Sequence, residues 1–231
     1  MRPDEYEEKE KRRIKINIGH LENGVDFVDI KAAYIDEGVT IGKGTAIYPG
    51  VILEGTVSIG ANCIIGQNTR IVDSSIGEGS EIQNSVVIES RIGSYTKLGP
   101  FAYIRPGSDI GSKCRVGDFV EVKNSSIADG AKAPHLAYIG DSDVGRGVNL
   151  GCGVVFVNYD GTKKYRSVVE DGAFVGCNVN IVSPVVIGEG AYIAAGSTVT
   201  KDIPAGAFCV ARSRERLIEG WSAKKGIVKK E

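Results

Sequence analysis

IGKGTAIYPGVILEGTVSIGANCIIGQNTRIV (residues 41–72) carries an aliphatic side chain at Ile41, Ile47, Leu53, Ile59, Ile65 and Ile71, a step of six held five times in succession. Neither the helix period of 3.6 nor simple strand alternation produces that spacing. With one-residue slips the step runs on through Ile76, Ile82, Val87, Ile92, Leu98, Ile104, Ile110, Val116, Val122, Ile127, Ala133, Ile139, Val144, Leu150 and Phe156. It resumes at Val169, Val175, Ile181, Ile187, Ile193 and Val199. A six-residue repeat is the sequence form of a parallel β-helix, in which three short strands and three turns make one triangular coil. The aliphatic points inward and stacks on its equivalents above and below, while Gly, Asn or Asp at the corners permits the tight turns. At about 18 residues per coil the periodic part predicts about nine coils, stabilised by nearest-neighbour stacking.

Composition agrees. Glycine supplies 31 of 231 residues without collagen's every-third spacing, which marks repeated turns and argues against a helical bundle. The formal net charge is −1, so neither nucleic acid nor an anionic membrane surface is expected as a partner. The two histidines, His20 and His135, cannot build a three-histidine zinc site within one chain. That argues against a β-helical carbonic anhydrase, and no metal is expected. Cys63, Cys114, Cys152, Cys177 and Cys209 are odd in number and contain no CxxC pair, which fits a reducing compartment. With neither a secretory leader nor a long apolar run in the sequence, a cytoplasmic protein is expected.

The reading divides the chain into a helix and lead-in (1–33), a β-helix domain (34–200) and a C-terminal extension and tail (201–231). Residues 1–13, with Glu5/Lys9, Glu7/Lys11 and Glu8/Arg12 four apart, predict an exposed helix. From Phe156 the next inward aliphatic, Val169, is thirteen positions on. This predicts an inserted loop over 157–168, and insertions in repeat arrays commonly form the binding face. The NYDG within it is also a type I′ turn signal. No GxGxxG follows a strand and no P-loop occurs. Polar candidates cluster instead between 105 and 166. One coil of about 18 residues stacks Arg105, Lys123 and a position near 141 on one face, bringing two cations together as a phosphate site requires.

Several segments carry a family resemblance in order: RRIKINIGHLENGVDFVD (12–29), GPFAYIRPGS (99–108), VGDFVEVKNS (116–125), HLAYIGD (135–141), VNLGCGVV (148–155), NYDGTKKYRS (158–167), FVGCNVNIVSPVVIGEGAYIAAGSTVT (174–200) and EGW (219–221). Over residues 12–222 the chain resembles the acetyltransferase half of the bacterial bifunctional N-acetylglucosamine-1-phosphate uridyltransferase / glucosamine-1-phosphate N-acetyltransferase. The family's nucleotide-binding glycine loop has no counterpart here, so uridyltransferase chemistry is not expected.

The resemblance implies a left-handed parallel β-helix, a homotrimer with active sites between subunits, and acetyl-CoA as co-substrate for N-acetylation of glucosamine 1-phosphate, a step toward cell-wall precursors. It also implies residue roles. His135 matches the general base, an imidazole suited to proton exchange near neutral pH. Arg105 and Lys123 match the sugar-phosphate ligands, with Tyr138, Asn149, Asn158 and Lys164 completing the sugar site. Cys152 matches the position whose backbone N–H faces the thioester oxygen, an oxyanion-hole role. Tyr159, Cys177, Ala195 and Arg212 match the remaining acetyl-CoA contacts. Pro134 stands where the family carries glycine, and Cys152, Val154, Val157 and Cys177 stand where it carries Ala, Thr, Cys and Ser. Two alternatives remain: an acetyltransferase for another amino sugar or nucleotide sugar, and a non-catalytic partner of a separately encoded pyrophosphorylase.

Overall fold

The computed structural model describes residues 2–227; the last four positions of the predicted tail lie outside them. The chain is a left-handed parallel β-helix of about ten turns preceded by a helix. Most strands are two or three residues long, and each pairs in parallel with its equivalents in the coils below and above. On one face Ala46 pairs with Ile64 and Ile64 with Glu81. On the second Ile52 pairs with Arg70 and Arg70 with Val86. The third is a regular nine-stranded sheet.

The six-residue step sets the core. Ile47, Leu53, Ile65, Ile71, Ile82, Ile104, Ile110, Ile139 and Phe156 are fully buried, each stacked into one continuous apolar column. The structure has about one coil more than the spacing predicts. The extra strands Asp26–Phe27 and Phe208–Cys209 pair with Ala46–Ile47 and Tyr192–Ile193, but the aliphatic step does not reach them. Their backbones finish the ladder although their side chains do not repeat.

Corner residues depart from the expected small-residue rule. Gly153 (φ 77°) and Asn178 (φ 54°) stack as expected, but Tyr95, Phe101, Lys113, Phe119 and Leu136 also adopt positive φ between 37° and 60°. Left-handed conformations of bulky residues are costly, and here stacking offsets part of the cost: Phe101 lies on Phe119 with ring centroids 5.5 Å apart.

The helix runs from Pro3 to Glu22, nine residues beyond the charged segment. Its C-terminal half docks on the lead-in. Arg13 donates to the carbonyl oxygens of Lys31 and Ala33 at 2.8 Å, and the buried Asn17 donates to those of Ile30 and Ala33 at 2.8 and 3.1 Å. These bonds occupy carbonyls at the open end of the β-helix. Among the described residues no helix is long and apolar enough to cross a membrane.

Candidate active site

The strand register is interrupted between Val157 and Ser167. Lys132 pairs with Asn149, but Asn149 pairs with Phe174, and Ser142 with Ser167. The additional residues leave the coil after Val157 and return at Ser167. They form a tight hairpin. Tyr165 N–H donates to Asn158 O (2.9 Å), Tyr159 bridges Lys164, and Asp160 accepts from the amides of Thr162 and Lys163, both at 2.7 Å. The turn signal and the inserted residues therefore occupy one segment.

Two strands beside this loop are unlike the rest. Arg115–Lys123 and Lys132–Gly140 are nine residues each and run round a corner from the first face to the second. Their backbones approach closely. A Cβ on Gly117 would lie 1.8 Å from the carbonyl oxygen of Pro134, so only glycine fits. Their register places Asp118 beside His135, Glu121 beside Tyr138 and Lys123 beside Gly140. The imidazole Nδ1 of His135 lies 2.8 Å from Asp118 Oδ1, and both side chains are about half exposed.

On the second face, just past the corner, the predicted sugar-phosphate residues converge. Arg105 N–H donates to Val122 O (2.8 Å), which sets Arg105 beside Lys123. The expected stack is therefore Arg105, Lys123 and Gly140, with Asp141 next in sequence. The cations are not left bare. Arg105 Nη1 meets Glu121 Oε1 at 2.7 Å, and Lys123 Nζ meets both oxygens of Asp141 at 3.2 and 3.3 Å. Partial burial opposes the charged form of Lys123, but the Asp141 carboxylate holds its ammonium above the ordinary lysine range. Lys123 in turn holds Lys164 below that range.

Asp141 is the hub. It is buried, accepts from Asn124 Nδ2 at 2.6 Å, and also accepts from the buried Asn158. Asn158 Nδ2 lies 3.4 Å from the Tyr138 hydroxyl. Gly140 makes this crossing feasible, because a Cβ there would sit 2.5 Å from that hydroxyl. The pairing partners Asp118, Glu121, Asn124 and Asp141 are absent from the sequence-derived site; one-coil spacing from His135, Arg105 and Lys123 is the signal that points to them.

Residues assigned to acetyl-CoA form a different feature. Continuing the register places Cys152 one turn above His135, Cys177 above Cys152 and Ala195 above Cys177. At about 4.8 Å per turn this column is about 14 Å long, and Arg212 Cδ comes within 3.5 Å of a Cβ built on Gly196 at its far end. Tyr159 lies off the column, in the loop, with its hydroxyl donating to Gly161 O at 2.6 Å. Asn149 is also separate, on the first face between Lys132 and Phe174. Among the described residues no group of three or more His, Cys, Asp and Glu is arranged to hold a metal.

The bacterial transferase hexapeptide family (six repeats) matches residues 38–73, 89–124 and 166–201. The chain is 54% identical over 213 residues to the bifunctional protein GlmU of Clostridioides difficile, covering 92% of this chain and 46% of that protein. It is 52% identical over 226 residues to bifunctional GlmU of Alkaliphilus metalliredigens (98% and 49%) and 55% identical over 218 residues to that of Alkaliphilus oremlandii (94% and 48%). Over nearly its whole length the chain is similar to one half of bifunctional GlmU. It spans about half the length of the curated GlmU relatives it matches, corresponding to their C-terminal, hexapeptide-repeat half.

The charge network around Asp141 and Asp143 makes stability sensitive to acid. The Arg166 guanidinium holds the Asp143 carboxyl below its ordinary 3.8; at Asp141 burial acts upward, but Asn124, Lys123 and Asn158 bring the net shift below the same value. Depressed folded-state values mean that the unfolded chain binds these protons first as pH falls, so the stabilisation is present above the ordinary carboxylate range and lost below it. Urea midpoints are therefore expected to hold steady from about pH 7 to 5 and to drop below about pH 4, with a shallower drop in Asp141→Asn.

Proposed function

We propose that this chain transfers the acetyl group of acetyl-CoA to the amine of glucosamine 1-phosphate, with His135 as general base. The observation that carries the reading is the meeting of two features at one corner. The Cys152–Cys177–Ala195 column offers an extended track for a pantetheine-like arm, and the Arg105, Lys123, Lys164 cluster offers cations for a phosphate. His135 stands between them.

The amine nitrogen attacks the thioester carbonyl carbon while His135 accepts a proton from that nitrogen. The tetrahedral intermediate then expels the coenzyme A sulfur, which takes up the proton held by the imidazole. Gly151 and Gly153 amides are committed to the carbonyls of Val175 and Leu136, so the Cys152 amide takes the oxyanion role. The phosphate replaces part of the interaction that Glu121 and Asp141 make with Arg105 and Lys123, as a charge-assisted contact. Asn149, on the first face, reaches the sugar from a neighbouring copy in a homotrimer, and a soluble cytoplasmic enzyme suits these substrates.

A thiol-release assay tests this. Turnover is expected with acetyl-CoA and glucosamine 1-phosphate, and a much higher KM with glucosamine lacking the phosphate. A preference for a nucleotide amino sugar would reassign the acceptor, and release of no thiol with any amino sugar would overturn the reading.

A further inference from the structure

We propose that Asp118 is a positioning residue for His135, holding the imidazole in the Nδ1–H tautomer so that Nε2 faces the reacting amine; this rests on the base role proposed above. The contact is 2.8 Å, between Nδ1 and Oδ1. It joins two residues directly opposed in a ladder with seven paired positions. Both backbones are held firmly. Gly117, preceding Asp118, packs against the Pro134 carbonyl, and Pro134, preceding His135, has its φ fixed by its ring. Rigid flanks of this kind leave the two side chains little latitude but to meet.

Stability does not account for the pair. Both side chains are substantially exposed, and exposed pairs add little to folding. What the pair does change is which nitrogen carries the proton. Among the described residues Nε2 makes no hydrogen bond, and a carboxylate on Nδ1 commits that nitrogen to donation. The hydrogen bond from His135, with one from its own backbone amide, holds the Asp118 carboxyl below the ordinary range, so it stays ionised when the imidazole becomes cationic. The other titratable groups around the pair are Arg115 on the same strand, Lys132 paired with Arg115, and Cys152 one turn above.

The test uses two readouts. In 15N-labelled protein, two-bond imidazole correlations report the tautomer directly, and the sequence contains only one other histidine, His20, whose signal His20→Gln removes. Wild type is expected to show His135 as Nδ1–H, and Asp118→Ala to show the Nε2–H form favoured in water. In the thiol-release assay Asp118→Ala should lower kcat by about 10- to 100-fold with KM for both substrates unchanged, since misorientation affects the step and not binding. Asp118→Asn, whose amide oxygen still accepts from Nδ1–H, should recover most of kcat. An Nε2–H tautomer in wild type, or a kcat unchanged by Asp118→Ala, would overturn the assignment. Wild-type protein without any turnover would defeat the acetyltransferase reading instead, while the tautomer measurement would still decide the pairing.

Discussion

His135→Ala is expected to lower the acetyl-CoA turnover number by roughly 10²–10⁴-fold, the size of a general-base contribution. His135 sits at the foot of the Cys152–Cys177–Ala195 column and around one corner from Arg105, Lys123 and Lys164. No second histidine is available to substitute, because His20 lies in the N-terminal helix, before the coils. Binding should survive, since the column and the cations proposed to meet the phosphate are untouched. KM for both substrates is therefore expected to stay within about threefold, separating loss of proton transfer from loss of affinity. Steady-state kinetics on protein with an unchanged urea midpoint checks this, and an unaltered turnover number would exclude His135 as the base.

The second large effect is on stability. Asp141→Ala removes the acceptor shared by Lys123, Asn124 and Asn158. Lys123, whose side chain is 19% exposed, then becomes a partly buried cation without its carboxylate, and Asn158 loses its charged partner. Removing one member of a buried pair costs about 3–5 kcal/mol, far more than the pair itself contributes, because the surviving charge remains desolvated. A second penalty acts in the same direction. Asp141 has φ 48°, a left-handed conformation that Asp and Asn tolerate better than alanine. Asp141→Asn keeps the backbone preference and the hydrogen-bonding shape while losing the charge, so its loss should be clearly smaller. Urea unfolding of the two variants resolves the order, and equal midpoints for Ala and wild type would show that the hub is structurally idle.

Much of this site is legible in the sequence. The six-residue step marks the inward residues, and all but Ile41 of the series from Ile41 to Ile71 are buried. The interruption after Phe156 locates the loop, and one-coil spacing stacks Arg105 on Lys123. The limits are equally physical. Residues 14–18, IKINI, alternate in the manner of a strand, yet they complete the helix because Arg13 and Asn17 find carbonyls to bond at the end of the coils. Tertiary hydrogen bonds decide that segment, which the local pattern misstates.

One-coil spacing points only approximately to the pairing network, for a related reason. Arg105 lies beside Lys123 and Lys123 beside Gly140, so successive coils differ in length by one residue. A slip of one exchanges an inward side chain for an outward one, and the sequence contains several slips without stating where each is absorbed. Partners one coil away, such as Asp118 for His135 and Asp141 for Lys123, depend on where those residues are absorbed. By itself the sequence determined the repeat, the buried column, the place of the loop and the single histidine in the coils, because each follows from spacing along the chain. Only the tertiary structure decided which carboxylate faces which cation and which candidates share a corner, because those contacts lie across coils.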